Sequence, residues 1–245
     1  MGIPFLFLQN EAIILCGGRN NLKTCLQLLE NTWNEYNSLQ MNRSYSSVVS
    51  TTSATFIFGG YYSKDTFEYL EKGALEWKLG ETKIPVEFKS GCAVAISKDE
   101  IWLIGGLSTE DRILSFNVSS QNFTELEITL KQGREGHQCT IIPGTRSIIV
   151  TGGRDVRNKK YDCFNSTEII DFETKSVYEG PPMNFQRGYH GIGVLTIDHK
   201  ERVVVFGDEK SVEVLDAETN LWESTSIEFS EEKKYFGFLT IKSLP

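Results

Sequence analysis

The sequence lacks the features by which membrane-spanning and nucleic-acid-binding proteins are usually recognised. Its 245 residues contain no apolar run that approaches the roughly 18 residues needed to cross a bilayer as a helix. Acidic residues outnumber basic ones by 33 to 25, and the net charge is −8. Binding to nucleic acid or to an anionic membrane surface needs clustered positive charge, so we expect neither partner. The hydrophobic content of 40% is ordinary for a globular protein with a sizeable core.

Cysteines are few and show no framework spacing. The five of them include no CxxC pair and are odd in number, which favours reduced thiols and a cytoplasmic protein. Residues 1–9 are interpreted as a strand rather than a signal peptide, because they have no basic flank and resemble an internal segment of the chain. Four N-x-S/T sequons are the contrary observation and keep a secreted protein open as the alternative. They begin at Asn42, Asn117, Asn122 and Asn165.

Motifs of catalysis are also missing. The sequence has no nucleophile elbow, no phosphate-binding glycine loop and no acidic metal cluster. We therefore expect neither enzymatic activity nor a cofactor.

One pattern is abundant instead, an apolar strand-like segment that ends in glycine. It occurs as IILCGG, TFIFGG, IWLIGG, IIVTGG and, in a weaker form, VVVFGD, with the first glycines at residues 17, 59, 105, 152 and 207. The separations between these glycines are 42, 46, 47 and 55 residues. A recurring period in this range is typical of a repeat architecture.

Each repeat is predicted to contain four β-strands. In the third copy, residues 92–96 and 101–104 are two apolar strands joined by the turn SKDE. Two strands with alternating apolar and polar residues follow the glycines, joined by the turn SSQN. The fourth strand usually opens with a large side chain, and an apolar residue stands seven positions before it. These pairs are Leu26 and Trp33, Leu70 and Trp77, Phe116 and Phe123, Ile170 and Val177, and Leu215 and Trp222.

A basic residue precedes each first strand, and the five are Arg43, Lys89, Arg134, Arg187 and Lys234. Four-stranded sheets of this size cannot bury both faces alone, so we expect them to stack radially. The apolar strand, the Gly-Gly pair and the later Trp resemble the kelch repeat over nearly the whole chain. This resemblance implies an all-β fold, a kelch-type β-propeller of five four-stranded antiparallel blades, as one domain over residues 1–245. A sixth first-strand candidate at 235–241 leaves open whether that strand is redundant or begins an incomplete sixth blade.

Loops on one face of such a propeller are the predicted partner-binding site. The loops after the glycines and those before the first strands emerge together there, and loops on a rigid scaffold often carry function. They are rich in Arg and Tyr, the residue types that interfaces favour. The predicted residues are Arg19, Asn21, Arg43, Tyr61, Tyr62, Arg134, Arg154, Arg157 and Arg187. The fourth-blade loop is the longest and is basic, which favours an acidic peptide because arginine binds carboxylates in a bidentate manner.

Three potential zinc ligands recur at a similar place in successive repeats. Cys92, His137 and His190 each lie three residues after a basic residue that precedes a first strand. Cysteine and histidine are ligands that zinc favours. The kelch resemblance, however, implies a histidine that hydrogen-bonds within the blade, so we predict no metal site.

The segment GGRNN, residues 17–21, is similar to the first-blade loop of a kelch-like ubiquitin-ligase adaptor that binds acidic peptides. This similarity implies that Arg19 and Asn21 contact the ligand. We therefore expect a non-enzymatic propeller that binds a protein or acidic peptide, as a substrate-recognition or scaffold module. One alternative is a kelch-type enzyme that acts on a sugar or other small molecule, and another is a secreted adhesion module. The sequence does not indicate the oligomeric state.

Overall fold

Five small antiparallel sheets, numbered here as blades 1 to 5 in chain order, form a β-propeller. The computed structural model describes residues 4–9, 12–18, 22–155, 157, 162–216 and 218–230. Within each blade the four strands follow one another in sequence order, so every connection inside a blade is a hairpin. The predicted all-β propeller with five four-stranded blades is confirmed. The sixth first-strand candidate, at 235–241, lies outside the described residues.

The strands are short, between two and eight residues long. Blade 1 contains β1 (Pro4–Gln9), β2 (Ala12–Gly17), β3 (Cys25–Leu29) and β4 (Thr32–Tyr36). Blade 2 contains β5 (Ser47–Ser50), β6 (Ala54–Phe58), β7 (Phe67–Glu71) and β8 (Lys78–Leu79). Blade 3 contains β9 (Cys92–Ala95), β10 (Glu100–Gly106), β11 (Glu110–Asn117) and β12 (Phe123–Glu125). Blade 4 contains β13 (Gln138–Ile141), β14 (Ser147–Thr151), β15 (Thr167–Asp171) and β16 (Ser176–Gly180). Blade 5 contains β17 (Gly191–Ile197), β18 (Lys200–Phe206), β19 (Ser211–Asp216) and β20 (Leu221–Glu228).

The second strands of blades 2 and 3 are almost entirely buried. All five residues of β6 are buried, as are six of the seven in β10. A strand in the middle of a sheet that is covered on both faces needs apolar residues at every position, which explains the continuous apolar runs before the glycines. The described residues contain no helix that is long and apolar enough to span a bilayer.

Adjacent blades share apolar cores at four junctions. These cores contain the residue pairs that stand seven positions apart on the third and fourth strands. Each pair packs against the preceding blade. At the junction of blades 1 and 2, for example, Leu70 and Trp77 pack against Ile14 and Cys16. Equivalent cores join blades 2 and 3, 3 and 4, and 4 and 5. The inner strands β1, β5, β9, β13 and β17 lie side by side in that order.

The junction between blades 5 and 1 is different. The core cluster on the blade 5 face directed toward blade 1 consists of Val204, Val212 and Val214, and it includes none of the blade 1 residues from Ala12 onward. On blade 1, the side chain of Trp33 is 45% exposed, whereas the equivalent Trp77 is 2% exposed. Four of the five junctions are therefore closed by a shared core among the described residues.

The register of the outer hairpin in blade 1 corrects one sequence assignment. Trp33 pairs with Leu28, five residues earlier, and not with Leu26. Glu30 and Asn31 both adopt positive φ, +47° and +63°, as in a two-residue hairpin turn. This tighter turn removes two residues from the seven-residue spacing that the other four blades keep.

Candidate partner-binding face

The glycine doublets bring the loops of neighbouring blades together. Gly59 has a φ of +62°, and a Cβ at this position would lie 1.8 Å from the carbonyl oxygen of Phe88. Its neighbour Gly60 donates its N–H to that same oxygen at 2.9 Å. Only a residue without a side chain allows this approach. The same latch recurs between Gly18 and Arg43, Gly106 and Arg134, and Gly153 and Arg187.

These latches show that the loops after the glycines and the loops before the first strands lie on one face, as predicted. This surface is called the axial face below. It is formed by the ends of the blades from which the second strands exit and the next first strands enter.

Three of the predicted partner-binding arginines are buried beneath this face. Arg43 donates from Nε to Glu68 at 2.8 Å and from Nη1 to the carbonyl of Gly59 at 2.7 Å, and its side chain is 0% exposed. Glu68 also accepts the backbone N–H groups of Gln40 and Met41. Arg134 with Glu168 and Arg187 with Glu213 repeat this arrangement in blades 4 and 5.

The prediction that Arg43, Arg134 and Arg187 bind a partner is therefore corrected. Their guanidinium groups connect each incoming loop to the third strand and to the glycine turn of the same blade. Burial lowers the pKa of Arg43 and of Arg134, while the paired glutamates favour the charged form. The role of these residues is to hold the axial loops in place.

Blade 3 replaces this ion pair with apolar residues. The position equivalent to Arg43 is Phe88, because Phe88 accepts the glycine latch, and Lys89 is therefore not the counterpart that the sequence suggested. Leu114 occupies the position in its strand that Glu68 occupies in β7. Each of these two residues pairs with the second-strand residue that lies two positions before the first glycine of its own blade. Both Phe88 and Leu114 belong to the core between blades 2 and 3. In this blade Thr109 donates its hydroxyl to the carbonyl of Gly105, the role that Arg43 has in blade 2.

A ladder of backbone hydrogen bonds surrounds the axis of the propeller. Ser90 donates its N–H to Tyr45, Gly136 to Ser90, and Tyr189 to Gly136, at 2.7 to 2.9 Å. Each of these four residues lies two positions after the residue that accepts the glycine latch, and each has a φ between +54° and +62°. The repeated conformation directs equivalent side chains of successive blades toward the centre of the axial face.

The side chains at this centre form a group that we call the axial cluster: Tyr45, Ser90, Glu135, Arg154 and Tyr189. The rings of Tyr45 and Tyr189 meet edge to face with centroids 5.8 Å apart. The guanidinium of Arg154 lies 5.2 Å over the Tyr189 ring and pairs with Glu135 at 2.7 Å. Burial raises the pKa of Tyr189 to about 12, and the Glu135 carboxylate adds to the rise, so the phenol stays protonated at neutral pH.

The two members of the ion pair in the axial cluster differ in exposure. Glu135 is 5% exposed at its side chain, while the Arg154 side chain is 23% exposed. The carboxylate therefore lies beneath the guanidinium. A ligand that approaches from solvent therefore meets the Arg154 guanidinium before it meets the buried acid.

Two exposed tyrosines stand at the rim. Tyr61 and Tyr62 follow the second glycine of blade 2, are 55% and 57% exposed, and contact each other edge to face. The ammonium of Lys89 lies 5.3 Å over the Tyr61 ring. The backbone N–H of Tyr61 donates to Ser44, which fixes the loop to its own blade. These two predicted residues are thus solvent-accessible on the axial face.

The basic loop of blade 4 is partly neutralised by its own surroundings. Arg157 is exposed and pairs with Asp155 at 3.1 Å and with Glu110 at 3.6 Å. Residues 156 and 158–161 of this loop lie outside the described residues, as do the predicted ligand-binding residues Arg19 and Asn21.

The two histidines connect neighbouring blades. His137 Nε2 lies 3.0 Å from the carbonyl of Ile104, and His190 Nε2 lies 2.8 Å from the hydroxyl of Thr151. Burial, with a contribution from Arg134, lowers the pKa of His137 to about 3, and burial holds the pKa of His190 well below its ordinary value. Both are neutral at physiological pH. Their hydrogen bonds connect neighbouring blades. The sequence-based expectation of hydrogen bonds within one blade is therefore wrong.

Cys92 is not the counterpart of these histidines. The equivalent residue in blade 3 is Gly91, since it lies three residues after Phe88. The Cys92 side chain forms a disulfide with Cys139. Within the described part of the chain, no group of three or more histidine, cysteine or acidic residues is arranged to hold a metal ion.

Sequence reasoning missed four of the five members of the axial cluster. Tyr45, Glu135 and Tyr189 each lie one or two residues after a predicted arginine, so the arginines marked the correct loops but not the accessible side chains. The available signal was the offset of two residues from the residue that accepts the glycine latch, which Tyr45, Ser90 and Tyr189 share in blades 2, 3 and 5 and which Glu135 does not follow.

No protein-family model matches the chain, and no curated protein matches it. The kelch resemblance rests on the repeat pattern, and the five-bladed propeller is compatible with it.

Proposed function

We propose that this kelch-type propeller binds a protein partner through an acidic peptide segment on its axial face, and that it acts by binding rather than by catalysis. The observation that carries the proposal is the layering of the axial cluster, in which the partly exposed Arg154, stacked on the Tyr189 ring, covers the buried Glu135. A carboxylate of the ligand can pair with Arg154 and accept hydrogen bonds from tyrosine hydroxyls.

The rim supplies contact area for the rest of the peptide. Tyrosines combine a large apolar surface with a polar tip and lose little conformational entropy on binding, so they are common anchors of interfaces. Tyr61 and Tyr62 are exposed as a pair, and Lys89 adds a cation beside them. More specifically, we propose that the protein is a substrate-recognition or scaffold module. The similarity of residues 17–21 to an adaptor loop places ubiquitin-ligase complexes among the assemblies to be tested.

The test is selection from a random peptide library, followed by affinity measurements on the selected sequences. We expect acid-rich peptides, and we expect binding to weaken at least about tenfold, roughly 1.4 kcal/mol, for Tyr61→Ala with Tyr62→Ala. Tyr178→Ala is the matched control, because Tyr178 is 54% exposed but lies on the outer strand β16. Selection of peptides without acidic residues, or equal affinities for the rim variant and the control, would contradict the proposal.

A further inference from the structure

Four of the five cysteines are joined in two disulfides. Cys92 and Cys139 connect the inner strands β9 and β13 of blades 3 and 4, with Cα atoms 5.9 Å apart. Cys16 and Cys25 connect directly paired positions of β2 and β3 in blade 1. The expectation of reduced thiols is therefore wrong for these four residues.

The disulfides bear on where the protein folds. All four cysteines are buried in the apolar cores between blades, at 4% exposure or less. Disulfides form and persist in oxidising compartments and are rare in the cytosol. The argument for a cytoplasmic protein rested on free thiols, so the secreted alternative becomes the better supported one, and the four sequons become candidate glycosylation sites.

The structure distinguishes among these sequons. Ser44, the hydroxyl residue of the Asn42 sequon, is buried. Asn117 uses its Oδ1 to accept the N–H and hydroxyl of Ser120 and so closes the turn after β11. Asn165 donates its amide to the carbonyl of Met183. The side chains of Asn117 and Asn165 thus hold loops in place, and the hydroxyl residue of the Asn42 sequon is buried.

The fourth sequon is open to solvent. Asn122 is exposed, and so is Thr124, the residue that completes the motif. The preceding Gln121 anchors the turn, because its side chain accepts the N–H of Glu81 at 2.9 Å and its carbonyl accepts the hydroxyl of Thr82. The acceptor amide is therefore presented on an ordered turn.

The position of Asn122 leaves the axial face free. It lies between the third and fourth strands of blade 3, and antiparallel strands place that turn at the opposite end of the blade from the glycine loop. A glycan at this end of the propeller does not obstruct the axial cluster. Asn42 and Asn165, in contrast, lie in loops that lead into the axial ends of blades 2 and 4.

We propose that the protein matures in the secretory pathway and carries an N-linked glycan on Asn122. This inference does not depend on the nature of the axial ligand. It favours a scaffold or adhesion role over one in a cytosolic ubiquitin-ligase complex.

The test is peptide mapping of the full chain isolated from the cells that produce it, after alkylation of free thiols at low pH. We expect a linked pair of peptides containing Cys92 and Cys139, and an Asn122 peptide whose glycan is removed by an amidase that leaves the asparagine as aspartate. Recovery of the Asn122 peptide without a glycan, or alkylation of Cys92 and Cys139, overturns the proposal.

A second experiment assigns the site. The chain is directed into the secretory pathway with an added signal sequence, and N122Q is compared with N117Q on a denaturing gel before and after deglycosylation. Loss of the mobility shift in N122Q and its retention in N117Q is the expected result, and the reverse pattern rejects Asn122. Peptide affinity of N122Q is expected to be unchanged, which keeps this test separate from that of the axial face.

Discussion

Replacing Arg43 with phenylalanine is expected to lower the stability of the protein strongly, although Arg43 lies in a loop. The substitution removes the bonds from the guanidinium to Glu68 at 2.8 Å, to Gly59 at 2.7 Å and to the carbonyl of Thr66 at 3.1 Å. It leaves the Glu68 carboxylate, which is 0% exposed, without a counter-charge. Breaking a buried pair in this way costs about 3–5 kcal/mol. At roughly 2–4 °C per kcal/mol for a chain of this size, the thermal midpoint should fall by about 6–20 °C.

The double variant Arg43→Phe with Glu68→Leu is the informative one, because blade 3 already uses Phe88 and Leu114 at these positions. Removing the unpaired carboxylate should recover part of the loss, and the coupling energy should be at least about 1.5 kcal/mol. Recovery is incomplete, because the N–H groups of Gln40 and Met41 lose their acceptor. At the position of Gln40, blade 3 has Pro85 and therefore has no N–H to satisfy.

Thermal unfolding followed by circular dichroism gives the four corners of this cycle. Arg112→Ala is the control, since its pair with Glu125 is 3.6 Å long and half exposed, and such pairs contribute about 0–1 kcal/mol. If the losses of the two single variants simply add, the buried carboxylate is not the source of the instability and our reasoning about the pair is wrong.

Three further predictions concern the junctions between blades. Trp77→Ala should cost about 3–5 kcal/mol, whereas Trp33→Ala should cost less than about 1.5 kcal/mol because its ring is half exposed, and equal losses in urea unfolding would show that the blade 1 face is covered. The pKa of His137 is about 3 in the folded protein and 6.5 in its ordinary state, so the unfolded chain binds the extra proton between these values. Stability should therefore be complete above pH 6.5 and fall on acidification by up to about 1.4 kcal/mol per pH unit, and His137→Gln should flatten the urea-midpoint profile over this range. Reduction of the Cys92–Cys139 disulfide should lower stability by about 2–4 kcal/mol, and an unchanged midpoint in dithiothreitol would argue that it contributes nothing.

The repeat could be found without coordinates because it is written in local chemistry. Glycines at positive φ and apolar second strands are needed in every blade, so they recur in the sequence at a regular spacing. The hairpin of blade 1 shows the limit of this approach. Its turn at Glu30 and Asn31 is two residues shorter than the others, and no spacing rule distinguishes Leu26 from Leu28 as the partner of Trp33.

The candidate site was only partly predictable. Arginine suits an interface and a buried ion pair equally well, and Glu68 lies 25 residues after Arg43 in the chain. A glutamate among the apolar residues of β7 was a signal for the buried pair. The axial cluster gave no such signal, because Tyr45 and Tyr189 are 144 positions apart and meet only when blades 2 and 5 surround one axis.

By itself, the sequence predicted five complete repeats, the order of strands within each and the glycine-marked ends that carry the loops. These properties depend on contacts within about 45 residues, and periodicity reports such contacts directly. The tertiary structure alone decided which arginines are buried, which cysteines are paired and which tyrosines meet at the axis. Each of these outcomes depends on the side chain that a neighbouring strand or blade supplies, and the repeat pattern does not specify that neighbour.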